Sequence, residues 1–308
     1  TMGLFDFMKK ADKNFFYISN VVTRYTGNAR KVVIPRNVHS IGSRAFADNH
    51  NIRTVIISDS VREIGTGAFS GCKNLETIII PESVIDIGNF AFDHCTNLTS
   101  VIIHNGVLNI GAYAFHKCSG LKKIDLPDSI MILGNSAFFD CESLESATMP
   151  KKLIAITSYL FSKCTNLKSI TLPENIEVIQ THAFSDCKSL ESITIGEKII
   201  FVDTKAFARC TNLKSVIFNK SEKERILQIR MINPKTRLPV TIFNNNDMGK
   251  LILSFESFAY CENLEKIVLP DKKISFEPHV FHGCKNLRFL EYLRNLCDTN
   301  GININYFL

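Results

Sequence analysis

Nowhere in the 308 residues does an apolar stretch approach the roughly 20 residues that a membrane-crossing helix needs, so no transmembrane span is expected. The chain also lacks the short motifs of common chemistries: a glycine-rich phosphate loop, a dinucleotide-binding glycine fingerprint, a His-Glu-x-x-His helix and a Gly-x-Ser-x-Gly elbow. Its carboxylates are scattered over variable positions without an isolated facing pair, which leaves glycoside hydrolysis without an anchor. The stretch from Met2 to Lys10 has no basic segment ahead of an apolar one and does not read as a secretory leader. With Met2 as the start, a cytoplasmic protein is expected, the alternative being a secreted or cell-surface one. These absences point away from an enzyme, the remaining alternative being one with a site near the repeat interruption, and call for no cofactor.

What the chain does have is a beat of 23 residues: Cys72, Cys95, Cys118, Cys141, Cys164, Cys187 and Cys210 keep that interval, and it resumes at Cys261 and Cys284. A fixed period between 20 and 50 residues marks a solenoid, whose core grows lengthwise instead of splitting into globular domains. Stacking then brings neighbouring cysteines to about the 4.8 Å strand spacing with parallel side chains. A disulfide wants Cβ atoms ~3.8 Å apart and converging, and a straight row of sulfurs cannot surround zinc tetrahedrally. Reduced, buried thiols are expected. His279 and His282 occupy variable positions around the core residues Phe281 and Cys284, so no metal site is assigned there or elsewhere.

The apolar positions repeat with the cysteines. Phe46, Phe69, Phe92, Phe115, Phe138, Phe161, Phe184, Phe207, Phe258 and Phe281 lie three residues before the cysteine position, and Ile52, Leu75, Leu98 and their equivalents to Leu287 lie three after it. Leu75-x-x-Ile78-x-Ile80 alternates as a half-buried strand does, and a proline such as Pro81 often ends it. The Ala-Phe-x-x-Cys stretch is too short for a long helix and suits a helical or 3₁₀ turn. Gly42, Gly65, Gly88, Gly111 and Gly134 give way to Thr157, Gln180 and Asp203, so their site does not demand positive φ.

The pattern Ile-Gly-x-x-Ala-Phe-x-x-Cys-x-x-Leu-x-x-Ile-x-Ile-Pro resembles the BspA-like class of leucine-rich repeats over residues 30–215 and 258–287. The resemblance implies a leucine-rich repeat solenoid: a right-handed α/β superhelix, predominantly β, with a parallel sheet on its concave face and short helical or 3₁₀ turns. It also implies a module for protein interaction or adhesion.

The organisation expected is an N-terminal cap over 1–29, a solenoid of about twelve coils over 30–287 and a C-terminal cap over 288–308. The 51 positions between Cys210 and Cys261 suggest degenerate coils with an insertion about 219–256. Within it Ser221-Glu-Lys-Glu224 is a capping box ahead of an expected short helix, Arg225 to Ile232, and Leu238 to Phe243 can supply a strand. Six Lys or Arg between Asn219 and Pro239 make Arg225, Arg230 and Lys235 candidate contacts for an acidic partner, beside the simpler reading of a solvated helix and loop.

Three columns of variable residues face outward from the expected strands. One alternates sign from Lys122 to Lys214, and one is a row of serines and threonines without the base a nucleophile requires. The third begins with Val33, Ile56, Ile79 and Ile102, four β-branched apolar residues that would form an exposed stripe and mark a protein-binding surface. Nucleic acid is not expected as a partner, because these columns nearly balance in charge and carry few aromatics for stacking.

Overall fold

The computed structural model describes residues 14–219, the backbone of 229–231, and residues 251–269 and 274–287. They form a parallel β-solenoid of about 10 turns, divided into two compact units, Thr1–Lys152 and Leu153–Leu308. Most coils contribute one strand of three or four residues and one of two, each stacking in register on its equivalent.

In the first unit the longer strands Lys31–Val33, Thr54–Ile56, Thr77–Ile80 and Ser100–Ile103 make a four-stranded parallel sheet, and Lys123–Asp125 pairs with Ser146–Thr148. The short strands Ser40–Ile41, Glu63–Ile64, Asp86–Ile87, Asn109–Ile110 and Ile132–Leu133 make a second sheet. Its first edge is covered by the antiparallel hairpin of Phe15–Ile18 and Val21–Tyr25, whose second strand pairs with Ser40–Ile41. The sheet therefore ends on the hairpin strand Phe15–Ile18 and not on the first coil.

Between the two sheets the phenylalanine column is fully buried. Phe69, Phe92 and Phe115 stack face to face, with centroids 5.3 and 5.1 Å apart and planes within 12° of parallel. The cysteine position has its own reason. Described thiols donate to the phenylalanine carbonyl of the preceding coil, among them Cys95 Sγ to Phe69 O at 3.2 Å and Cys118 Sγ to Phe92 O at 3.2 Å. That carbonyl also accepts an amide within its own coil, so the thiol fills its second lone pair where water is absent.

The Ala-Phe-x-x-Cys segment is not helical, and no α-helix occurs among the described residues. Its amides take alternating directions. Ala91, Asp93 and Cys95 donate to carbonyls three residues back, whereas Phe90, Phe92 and His94 donate to Ala112, Ala114 and His116 of the next coil. Alternation requires a left-handed residue at each end of the segment, here Phe90 (φ 57°) and His94 (φ 58°), and the equivalents from Arg44 to His279 behave alike. Non-glycine residues in that region cost about 1–2 kcal/mol each, which the bonds between coils offset. The expected helical turn fails because these amides serve the neighbouring coil.

The glycine column has negative or extended φ, as its substitutions implied, and its cause is proximity. A Cβ on Gly88 would lie 2.7 Å from Thr66 N and 2.8 Å from the Gly65 carbonyl carbon, both backbone atoms of the coil below. Gly88→Ala should therefore lower unfolding stability by about 1–3 kcal/mol in a urea titration. An unchanged midpoint would mean that the coils separate freely at this corner.

In the second unit the short strands run Ala155–Ile156, Val178–Ile179, Phe201–Val202, Leu251–Leu253 and Ile274–Phe276, and Ser192–Ile195, Ser215–Phe218 and Lys266–Val268 form a longer-strand sheet. At the glycine position Gln180 instead accepts the Ser158 amide at 3.0 Å, and Glu277 accepts that of Phe255 at 2.9 Å.

The coils of Cys210 and Cys261 are direct neighbours: Phe207 stacks on Phe258 at 5.1 Å, and Cys261 Sγ donates to Phe207 O at 3.1 Å. No further rung of the phenylalanine and cysteine columns stands between these two coils, and the solenoid has about ten turns in place of the twelve expected. Where a helix is expected over 225–232, Ile229–Met231 is a strand pairing in parallel with Ile274–Phe276. A short apolar run fits both periodicities, and here an open sheet edge decides between them. The expected strand over 238–243 and the C-terminal cap over 288–308 lie outside the described residues.

Candidate functional site

On the longer strands of the first unit, alternation turns Val32, Val55, Ile78 and Val101 inward and Val33, Ile56, Ile79 and Ile102 outward. The outward four are 41, 42, 50 and 46 % exposed. Register pairs Val33 with Ile56, Ile56 with Ile79 and Ile79 with Ile102, so the stripe is continuous. It stops at the next coil, where Asp125 takes a hydrogen bond from Thr148 Oγ1 at 2.7 Å and pairs with Lys123 at 2.9 Å. The neighbouring columns are polar: Thr54 and Thr77 place their hydroxyls 3.5 Å apart, and Arg53 pairs with Glu76. Such exposed pairs contribute about 0–1 kcal/mol and favour register more than stability.

Of the basic candidates, Arg225 and Lys235 lie outside the described residues, and Arg230 is placed only as backbone in the strand Ile229–Met231.

Sequence reasoning missed two features. Ile85, Leu108 and Met131, just before the short strands, form a second exposed apolar column, each amide donating to the carbonyl below at 2.8 Å. Reading that position at the 23-residue period would have found it. The other feature is a cluster on the turn side, where Asp93 Oδ1 lies 2.7 Å from both His94 Nδ1 and His116 Nδ1. Burial pushes the Asp93 carboxyl up, but the bonds from His116 and His94 outweigh it and hold the group below its ordinary range. Asp93 and His116 are vertical neighbours one period apart, so pairing polar residues along that column would have exposed the cluster.

The model of the BspA-type leucine-rich repeat region matches residues 17–145, 132–228 and 252–302, with six copies. The chain belongs to this family. Among solved structures, a leucine-rich repeat protein of T. pallidum is 30 % identical over 58 % of this chain and 89 % of its own, with a TM-score of 0.56. A leucine-rich repeat protein of Bacteroides ovatus is 24 % identical over 92 % of this chain and 93 % of its own, with a TM-score of 0.55, a likeness of fold. Comparison with curated proteins finds no match. No described helix of this BspA-type repeat protein is long and apolar enough to cross a membrane.

Proposed function

We propose that this BspA-type chain is a non-enzymatic protein-interaction module, and that its partner lays apolar side chains across Val33, Ile56, Ile79 and Ile102. The observation that carries the reading is four outward aliphatic residues in strict register, each more than two-fifths exposed. Covering them returns about 25 cal/mol per Å² of apolar surface. The sheet is already fixed by its ladder, so little conformational freedom is lost on binding. The Thr54–Thr77 column and the Arg53–Glu76 pair beside the stripe suit a polar rim. Chemistry at this face would need an activated group, and the serine and threonine column supplies no base.

Ile56→Lys with Ile79→Lys tests the reading. Both side chains point to solvent, so circular dichroism and the thermal midpoint should stay near those of the parent. Capture of a protein partner should fall by roughly 100-fold or more, because each ammonium would be desolvated at the centre of the contact. Thr171→Lys, at an exposed polar position of the second unit, should leave capture intact. If the double variant retains its partner at full strength, this face is not the contact.

A further inference from the structure

We infer that Asp93, His94 and His116 form a binding site for a divalent transition-metal ion, zinc by the chemistry of its donors, joining two neighbouring coils of the first unit. One carboxylate oxygen and two imidazole nitrogens lie within 4.8 Å of one another, the one group among the described residues that brings three such ligands together. Two nitrogens and an oxygen suit zinc, whereas magnesium and calcium take oxygen ligands. Three protein ligands leave a fourth tetrahedral position for water.

The site is held from below by the backbone. His94 N–H donates to the His116 carbonyl at 2.8 Å, tying the two ligand-bearing turns together. The His116 ring sits against Tyr113 at 5.5 Å and Phe139 at 5.3 Å. The Asp93 and His116 side chains are each only 15 % exposed, while His94 is 43 % exposed and leaves one side open to an arriving ion. As the cluster stands, both Nδ1 atoms face the same Asp93 oxygen. A metal ion takes an imidazole through a free Nδ1 lone pair, so the ligating tautomer is the one with its proton on Nε2.

The geometry is near what zinc requires. Ligands at 2.0–2.2 Å around a tetrahedral ion stand about 3.3 Å apart, so each 2.7 Å nitrogen–oxygen contact must widen by about 0.6 Å. That widening asks for a turn of the half-exposed His94 ring and of the Asp93 carboxylate. At the same turn, the coil below has Ser70 and Gly71 where this one has Asp93 and His94, so the donor set belongs to these two coils.

Titration calorimetry of the full-length chain with zinc chloride tests the proposal, with cobalt(II) absorption as a second readout. One ion per chain should bind saturably, and cobalt should show the intense visible bands of a tetrahedral nitrogen–oxygen site. His94→Gln, at a half-exposed position, should weaken binding at least tenfold without altering the fold, and His116→Gln should abolish it. His282→Gln should change nothing. If His116→Gln does not fold, His94→Gln decides. Absence of saturable uptake, affinity unchanged by His94→Gln, or a thiolate–cobalt charge-transfer band placing the ion on cysteine would each overturn the assignment.

Discussion

Raising the pH from 8 to 10 should destabilise the folded chain steeply, because its buried thiols keep protons that the unfolded chain releases. Desolvation by burial pushes the Cys72 and Cys284 thiols up to about 12 and holds Cys95, Cys118, Cys141, Cys187 and Cys261 above the ordinary thiol range. In the unfolded chain the same groups titrate near 9.0. Above that pH the native state therefore binds more protons than the unfolded one, and stability falls as pH rises. Each thiol that keeps its proton at pH 10 while its unfolded counterpart loses it costs about 1.4 kcal/mol. Against the marginal stability of a typical domain, about 5–15 kcal/mol, even a few such groups are a large share. Below pH 8 both states carry the proton and the effect vanishes. Urea titrations under reducing conditions at pH 8, 9 and 10 should show it as a collapsing midpoint, and thiol reagents should label these positions only as the chain opens. A midpoint flat across that range would contradict the buried ladder.

Phe92→Ala is the point substitution with the largest expected cost. The ring is fully buried between Phe69 and Phe115, with stacked neighbours on both faces, and its removal leaves a void that the fixed coil spacing cannot close. A loss of about 3–5 kcal/mol is expected in denaturant titration. Phe90, two residues earlier, is the internal control: it is 40 % exposed, stacks on Tyr113 at 4.9 Å and holds a left-handed conformation that glycine adopts without strain. Phe90→Gly should leave stability within about 1 kcal/mol of the parent, the relieved strain offsetting the lost ring contact. Similar losses at the two positions would mean that stacking on the turn surface matters as much as the core column.

These two phenylalanines mark the limit of what the sequence discloses. Phe92 recurs every 23 residues, and recurrence with apolar character is enough to place it inside, as it is for the leucines and thiols. Phe90 falls at a position occupied elsewhere by Arg44, Gly67, Tyr113 and Ser136, so nothing in the letters announces its left-handed backbone. The demand arises from amides that bond to the next coil, a relation visible only once the coils are stacked. The same holds for Ile229–Met231, whose apolar run became a strand because Ile274–Phe276 offered an edge. The stripe from Val33 to Ile102 was legible because strand alternation alone fixes its direction. Asp93, His94 and His116 were not, since they lie on the turn side, where no simple alternation tells inward from outward.

The junction between the coils of Cys210 and Cys261 has a practical consequence. Two rungs separated by 51 positions touch as closely as rungs separated by 23, so the contact between rungs tolerates 28 additional residues in the chain between them. A reporter or affinity epitope grafted between these two coils is therefore expected to leave Phe207 and Phe258 in contact.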